Sequence, residues 1–194
     1  LGRGEPALPE PPGSVPERPK GSRKEESLMF YWDTVKTPRG VFTIVFHEKG
    51  IYRVFFPGQQ EEPAAWPRRD LPWRELKRDL PRYLAGEKVS WEGYPLDESG
   101  YSDFTRRLLR LVRTVPYGVL LSYRQAAEKV GSPRGCRAVG QALKRNRHPI
   151  LVPCHRIIRS SGEPGGFSGP PGWKEFLLAL ESARYTAGGQ TIYF

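Results

Sequence analysis

The chain has 194 residues and is 38% hydrophobic, with five Trp, nine Tyr and nine Phe, enough apolar material to build one large or two small packed domains. No apolar run approaches the roughly 18–20 residues of a membrane helix and no secretory h-region opens the sequence, so the expected location is the cytoplasm or, in a eukaryote, the nucleus. The net charge of +10 is confined to residues 101–194, which hold fifteen Lys and Arg against five Asp and Glu, while the rest of the chain is neutral. Such asymmetry points to a polyanionic partner, nucleic acid before membrane.

Residues 1–28 are rich in Pro, Gly, Glu, Arg and Ser, a composition that cannot bury enough surface to offset the entropy of ordering, and a disordered tail is expected. Met29 is the only methionine and marks an alternative start. Strand-like runs follow at 30–35, 41–47 and 51–56, with a short turn at Glu48-Lys49-Gly50, and predict an antiparallel meander. Residues 71–84 have helical spacing, interrupted at Pro81, and 89–91 read as a further short strand. This part, 29–100, has no visible reaction centre and is expected to be a scaffold domain that ends in a linker at 93–100.

The basic part, 101–194, opens with a predicted helix at 102–115 whose apolar stripe is Phe104, Leu108, Leu111 and Val112. Ser122-Tyr123-Arg124-Gln125 fits a capping box and starts a short helix that ends at Gly131. Ser132-Pro133 repeats the start signal for a second helix to about Asn146, and the pair forms a helix-turn-helix candidate. The second helix carries the small residues Gly135, Cys136, Ala138, Gly140 and Ala142 around Arg137. They suit either close packing on another helix or entry into a DNA groove, with Arg137 in the stack or on phosphate.

Next comes Ile150-Leu151-Val152-Pro153-Cys154-His155-Arg156-Ile157-Ile158. Proline fixes the chain angle just before the sulfur, and basic neighbours favour thiolate; a buried structural cysteine is the competing reading. Cys136 and Cys154 make no C-x-x-C pair, only three histidines are present, and no metal site is expected. A disulfide between the two is disfavoured in a reducing compartment. A Gly-rich loop at 160–169, lacking G-K-[ST], is no phosphate loop, and a helix at 173–181 closes the pattern.

Ser122-Tyr123, Arg137-Ala138-Val139-Gly140, Asn146, Pro153-Cys154-His155-Arg156, the glycines between Gly165 and Gly169, and the run from Lys174 to Glu181 together resemble the O6-alkylguanine-DNA alkyltransferases. The resemblance covers roughly residues 104–181. It implies an α+β protein with an N-terminal ribonuclease H-like α/β domain and a C-terminal, helical, winged helix-turn-helix-like DNA-binding domain. It also implies irreversible, single-turnover transfer of an alkyl group from guanine O6 to Cys154, with no cofactor. His155 would be the base, acting through a water; Glu181 would orient it and Asn146 would brace the turn.

Tyr123 would donate a proton to the leaving guanine and help swing the nucleotide out, while Arg137 fills the gap. Ser122, Cys136, Ala138 and Gly140 would join these at the DNA surface. The pocket would be completed by Ile157, Phe167, Ser168 and Lys174: the Cys154 and Ile157 carbonyls would take the guanine amino group, and the Ser168 backbone would face O6. The implied partner is double-stranded DNA bearing O6-alkylguanine, met by a monomer. Phe167 stands where many relatives have tyrosine, and Arg147 where proline is frequent, which either loosens that turn or adds a phosphate contact. The alternative is a non-catalytic lesion-binding protein, against which Cys154 itself argues, since relatives of that kind replace the cysteine. A sequence-specific regulator and a cysteine hydrolase are weaker alternatives.

Overall fold

The computed structural model describes residues 28–60, 62–187 and 190–194; the expected disordered tail lies outside them. Three strands, β1 (Tyr31–Thr37), β2 (Gly40–His47) and β3 (Gly50–Phe55), pair antiparallel in the order of the sequence, so the meander is as expected. Helix α1 (Leu76–Leu84) is shorter than the apolar spacing suggested and runs through Pro81. Its inward residues are Leu76, Leu80, Tyr83 and Leu84. Asp33 of β1 anchors it, accepting from the Leu71 amide at 3.0 Å and pairing with Lys77 Nζ at 2.6 Å. Burial alone would raise the Asp33 pKa, but Lys77 and the Leu71 and Thr34 amides hold it below its ordinary value. Residues 89–91 form no strand: Trp91 is buried in the core, and its short apolar run serves packing rather than pairing.

Helix α2 (Asp103–Arg113) starts where Ser102 accepts from the Thr105 amide. Its buried stripe is Thr105, Leu108, Leu109 and Val112, displacing Leu111 and Phe104 to half-buried positions. Arg113 does not face solvent; it donates to the carbonyls of Trp91, Glu92 and Tyr94 and ties the linker down. Strand β4 (Leu121–Ser122) leads into α3 (Tyr123–Lys129), where both halves of the capping box form. The next helix, α4 (Cys136–Lys144), starts later than Ser132-Pro133 suggested, because Ser132 closes a turn with the Gly135 amide at 2.7 Å and Gly135 takes the cap position.

A single 3-10 turn (Cys154–Arg156) runs into β5 (Ile157–Ile158), which pairs parallel with β4. Helix α5 (Trp173–Leu180) follows, and then a hairpin of β6 (Arg184–Ala187) and β7 (Gln190–Tyr193). Ala183, Tyr185 and Phe194 pack with Leu120, Ile158 and Leu178 in a small separate core at the foot of this hairpin.

The two parts of the chain share a core. Ile150, Leu151 and Leu177 lie in one apolar cluster with Phe42, Ile44, Phe56 and Tyr83. Beside it the Val54 amide of β3 donates to the Arg147 carbonyl at 2.8 Å. The Arg147 guanidinium is held between the Tyr52 and Tyr101 rings, 4.4 and 4.5 Å from their centroids, and donates to the carbonyls of Asp97 and Ser99. It therefore neither loosens the turn nor reaches outward to phosphate. It clamps the two parts together.

His148 is part of the same seam, its Nε2 donating to the Ile51 carbonyl at 2.8 Å. Burial, helped by the Arg147 charge, pushes its pKa down to about 3. Between about 6.5 and that value the unfolded chain takes up a proton that the folded chain refuses. Stability is therefore complete above about pH 6.5 and falls as pH falls, by up to about 1.4 kcal/mol per pH unit for this one group. Thermal unfolding from pH 7 to pH 5 should show that fall. A His148→Gln variant, which keeps a donor but cannot titrate, should show a flatter one.

Candidate active site

Cys154 is delivered by a strained approach. Ile150 has φ 73°, a left-handed conformation that a β-branched residue adopts at a cost of about 1–3 kcal/mol. The turn holds because Ile150 is fully buried and the Val152 amide donates to the His148 carbonyl at 2.8 Å. Asn146 braces the inside of the turn: its Nδ2 donates to the Val152 carbonyl at 3.0 Å, and its Oδ1 accepts from the His148 amide at 2.9 Å.

The basic residues beside the sulfur act differently from their sequence neighbourhood. Arg156 is turned to Glu181, donating through Nη2 at 2.7 Å to Oε1 and through Nε at 2.9 Å to Oε2. His155 Nε2 lies 3.0 Å from Glu181 Oε1. Glu181 sits at the C-terminal cap of α5 and also accepts from the Gly118 amide at 3.0 Å, so its carboxylate is saturated with donors. Burial alone would raise the Glu181 pKa, but His155 and Arg156 hold it well below the carboxylate range. An anionic acceptor fixes the imidazole with its proton on Nε2, and burial pushes the His155 pKa down, so the ring is neutral. Its Nδ1 is buried with no hydrogen-bond partner among the described residues, which leaves a basic lone pair available.

Burial likewise raises the thiol pKa of Cys154, although Asn146 and the Lys174 charge oppose it. The resting sulfur is therefore a protected thiol, not the standing thiolate that Arg156 and His155 suggested in sequence. The cation that faces it is Lys174, whose Nζ donates to the carbonyls of Ile157 at 2.6 Å and Gly166 at 3.2 Å. Burial lowers the Lys174 pKa to about 8. Through those two bonds Lys174 ties the Gly-rich loop to β5 beside the sulfur.

Cys154 lines a cavity of about 430 Å³, within the range of small-molecule pockets. Of the pocket residues anticipated from the sequence, Phe167 and Ser168 line it and Ile157 and Lys174 do not; the other walls are Tyr123, Cys136, Arg137, Gly140, Leu143, Lys144, Arg159 and Gly166. Tyr123 Oη donates to the Gly166 carbonyl at 3.4 Å, and burial raises its pKa, so it keeps its proton. Glycine is required in this loop at two places: Gly165 has φ 74°, with the Tyr123 ring 3.1 Å from where a Cβ would stand, and a Cβ at Gly169 would lie 2.4 Å from Phe167 and 2.7 Å from Phe56.

Around the mouth, α4 presents Arg137, Ala138, Gln141, Lys144 and Arg145 to solvent while Val139, Ala142 and Leu143 are buried. Small side chains beside long cations give a surface that a duplex groove can approach closely. Ser122 is placed otherwise: it is buried, and its hydroxyl is committed to the α3 cap. Among the described residues, no group of three His, Cys, Asp or Glu side chains is placed to hold a metal ion.

Three residues of this site were not singled out as such from sequence. Tyr83 and Phe56 come from the supposed scaffold: Tyr83 Oη donates to Glu181 Oε1 at 2.6 Å, and the Phe56 ring packs edge-on against Phe167, the pocket wall, at 5.8 Å. Arg156 was noticed only as charge. Its buried ion pair became visible when Glu181, 25 residues away, was brought beside it.

Comparison with known proteins finds two family matches along the chain. Residues 30–98 match the family model described as 6-O-methylguanine DNA methyltransferase, ribonuclease-like domain, and residues 103–183 match the one described as 6-O-methylguanine DNA methyltransferase, DNA binding domain. The hairpin β6–β7 lies beyond the second match. A protein of Bacillus subtilis named methylated-DNA–protein-cysteine methyltransferase, constitutive, is 37% identical over 166 residues, covering 81% of this chain and 98% of the relative. One from Methanosarcina barkeri named methylated-DNA–protein-cysteine methyltransferase is 36% identical over 154 residues, covering 78% and 96%. The crystal structure of Mycobacterium tuberculosis OGT in complex with DNA superposes with a TM-score of 0.69 at 32% identity, covering 78% of this chain and 92% of that one.

Proposed function

The chain belongs to the 6-O-methylguanine DNA methyltransferase family, and from that premise we propose how its own residues carry out the repair. It is a methylated-DNA–protein-cysteine methyltransferase: it reverses damage directly, by moving an alkyl group from DNA to a cysteine of its own. The cysteine is Cys154. The observation that carries this assignment is the cavity between the exposed face of α4 and the Gly-rich loop, with the thiol in its wall and a neutral, buried imidazole as the next residue.

The substrate is O6-alkylguanine in double-stranded DNA. Its exocyclic oxygen cannot be reached within the stack, so the nucleotide is swung out into the cavity. Arg137, exposed on α4 and lining the mouth, enters the space the base leaves. The thiol proton passes through a water to His155 Nδ1 as sulfur attacks the alkyl carbon, and the carbon–O6 bond breaks with its electron pair going to guanine. Tyr123 gives the leaving base a proton, later recovered from the imidazolium through solvent. A thioether has no easy hydrolysis route, so each molecule acts once. The protein acts as a monomer, in the cytoplasm or the nucleus.

A duplex with one O6-methylguanine should be converted to guanine with an equivalent loss of free protein, read by nucleoside chromatography. Conversion of many lesions per protein molecule, or none, would overturn the reading. Arg137→Ala should slow transfer from duplex roughly 10- to 100-fold, the scale of losing a few kcal/mol of support for the flipped base. Transfer from the free base O6-benzylguanine, which needs no flipping, should change little.

A further inference from the structure

Tyr83 belongs to α1, on the far side of the chain's polarity from the reactive cysteine, yet it is fully buried against the His155–Glu181 pair. Its hydroxyl donates to Glu181 Oε1 at 2.6 Å, and its oxygen lies 3.2 Å from His155 Nε2, so the imidazole N–H is shared between the carboxylate and the phenol oxygen. The ring is wedged edge-on between Trp91 and Tyr117, at 5.4 and 6.1 Å, and has little freedom to leave. We propose that Tyr83 is a positioning residue for alkyl transfer, holding the imidazole of His155 in the tautomer that leaves Nδ1 free and tempering the basicity of Glu181.

This inference rests on the reaction proposed above. A carboxylate that already accepts from a phenol is a poorer proton acceptor, so it orients the imidazole without over-stabilising the imidazolium. The charged and titratable groups facing His155 are Glu181, Arg156, Lys174 and Tyr83 itself. Of these, Tyr83 alone comes from outside the family's DNA-binding portion, residues 103–183. The first part of the chain thereby supplies an atom to the reaction centre and is more than a scaffold.

Tyr83→Phe removes one oxygen and keeps the ring packing. Transfer to Cys154 should slow about tenfold, the scale of one hydrogen bond to a charged group. Two readouts separate positioning from mere packing. The acidic limb of the rate–pH profile should move to higher pH, because Glu181 freed of the phenol holds the imidazolium more tightly. The ¹⁵N shifts of His155 should show a larger population protonated on Nδ1. Site-specific 3-fluorotyrosine at position 83, which retains the hydroxyl, should restore most of the rate. An unchanged rate and profile in the phenylalanine variant, or a loss matched by lost folded fraction with no change in the His155 shifts, would overturn the inference. Failure of the wild type to transfer at all would instead overturn the function itself.

Discussion

Replacing Arg156 with alanine should destabilise the protein by about 3–5 kcal/mol and abolish transfer together with it. Arg156 is almost wholly buried, and among the described residues its guanidinium is the only full cation bonded to Glu181, a carboxylate 3% exposed. Without it, Glu181 keeps only neutral donors from Tyr83, His155 and Gly118, and an uncompensated buried anion remains. The Val115 carbonyl loses its partner as well. For a chain of this size the expected drop in Tm is roughly 10 °C at neutral pH. Arg156→Lys should fall between the two, since a single ammonium cannot reproduce the fork on both carboxylate oxygens.

The pH dependence gives the sign. Glu181 in the wild type has a depressed pKa, so its pairing supports the fold above the unfolded carboxylate value near 4.3 and is lost as pH falls through the folded value. In Arg156→Ala the carboxyl rises toward neutrality and can protonate within the fold. The gap in Tm between wild type and variant should therefore be widest near pH 7 and narrow toward pH 4. A gap that is constant with pH would mean that the loss is one of packing, not of charge.

Cys154→Ala should leave the fold and lesion binding in place and remove transfer, by at least about 10³-fold; loss of an activated nucleophile elsewhere costs more still. The walls of the cavity also come from α3, α4, the Gly-rich loop and the basic rim, so binding is expected to survive removal of the sulfur. Cys154→Ser tests the activation scheme. A hydroxyl beside a neutral imidazole of lowered pKa has too little driving force to lose its proton, and the variant should be as inactive as alanine. Cys136, half-buried in the same cavity, should not take over.

Much of this site was legible in the chain because its parts are local or carry strong chemical character. The meander announced itself through β-branched and aromatic runs, and the start of α3 through a four-residue capping box, which depends on nothing distant. Cys154, His155 and Glu181 were recognisable through a resemblance. The rest depends on contacts that sequence spacing does not encode. Tyr83 looks like one more apolar position on an amphipathic helix, because its hydroxyl matters only once α1 is docked beside α5.

Other expectations failed for equally physical reasons. Arg147 looked like a surface cation until Tyr52, Tyr101 and two carbonyls enclosed it. Ser132-Pro133 carries a good start signal, yet Ser132 is spent on a turn with Gly135 and the helix begins after it. The positive neighbours of Cys154 suggested a thiolate, but Arg156 is spent on Glu181, His155 is neutral, and burial outweighs the Lys174 charge that does face the sulfur. The terminal hairpin gave no advance signal beyond its β-branched and aromatic residues.

One measurement bears most directly on the central claim. The protein is incubated with an excess of duplex containing a single O6-methylguanine, then digested, and the peptides bearing Cys136 and Cys154 are weighed by mass spectrometry. One methyl group per protein molecule, all of it on the Cys154 peptide and unchanged by longer incubation, is the predicted result. A methyl group on Cys136, on both cysteines, or on neither while the lesion disappears would contradict it.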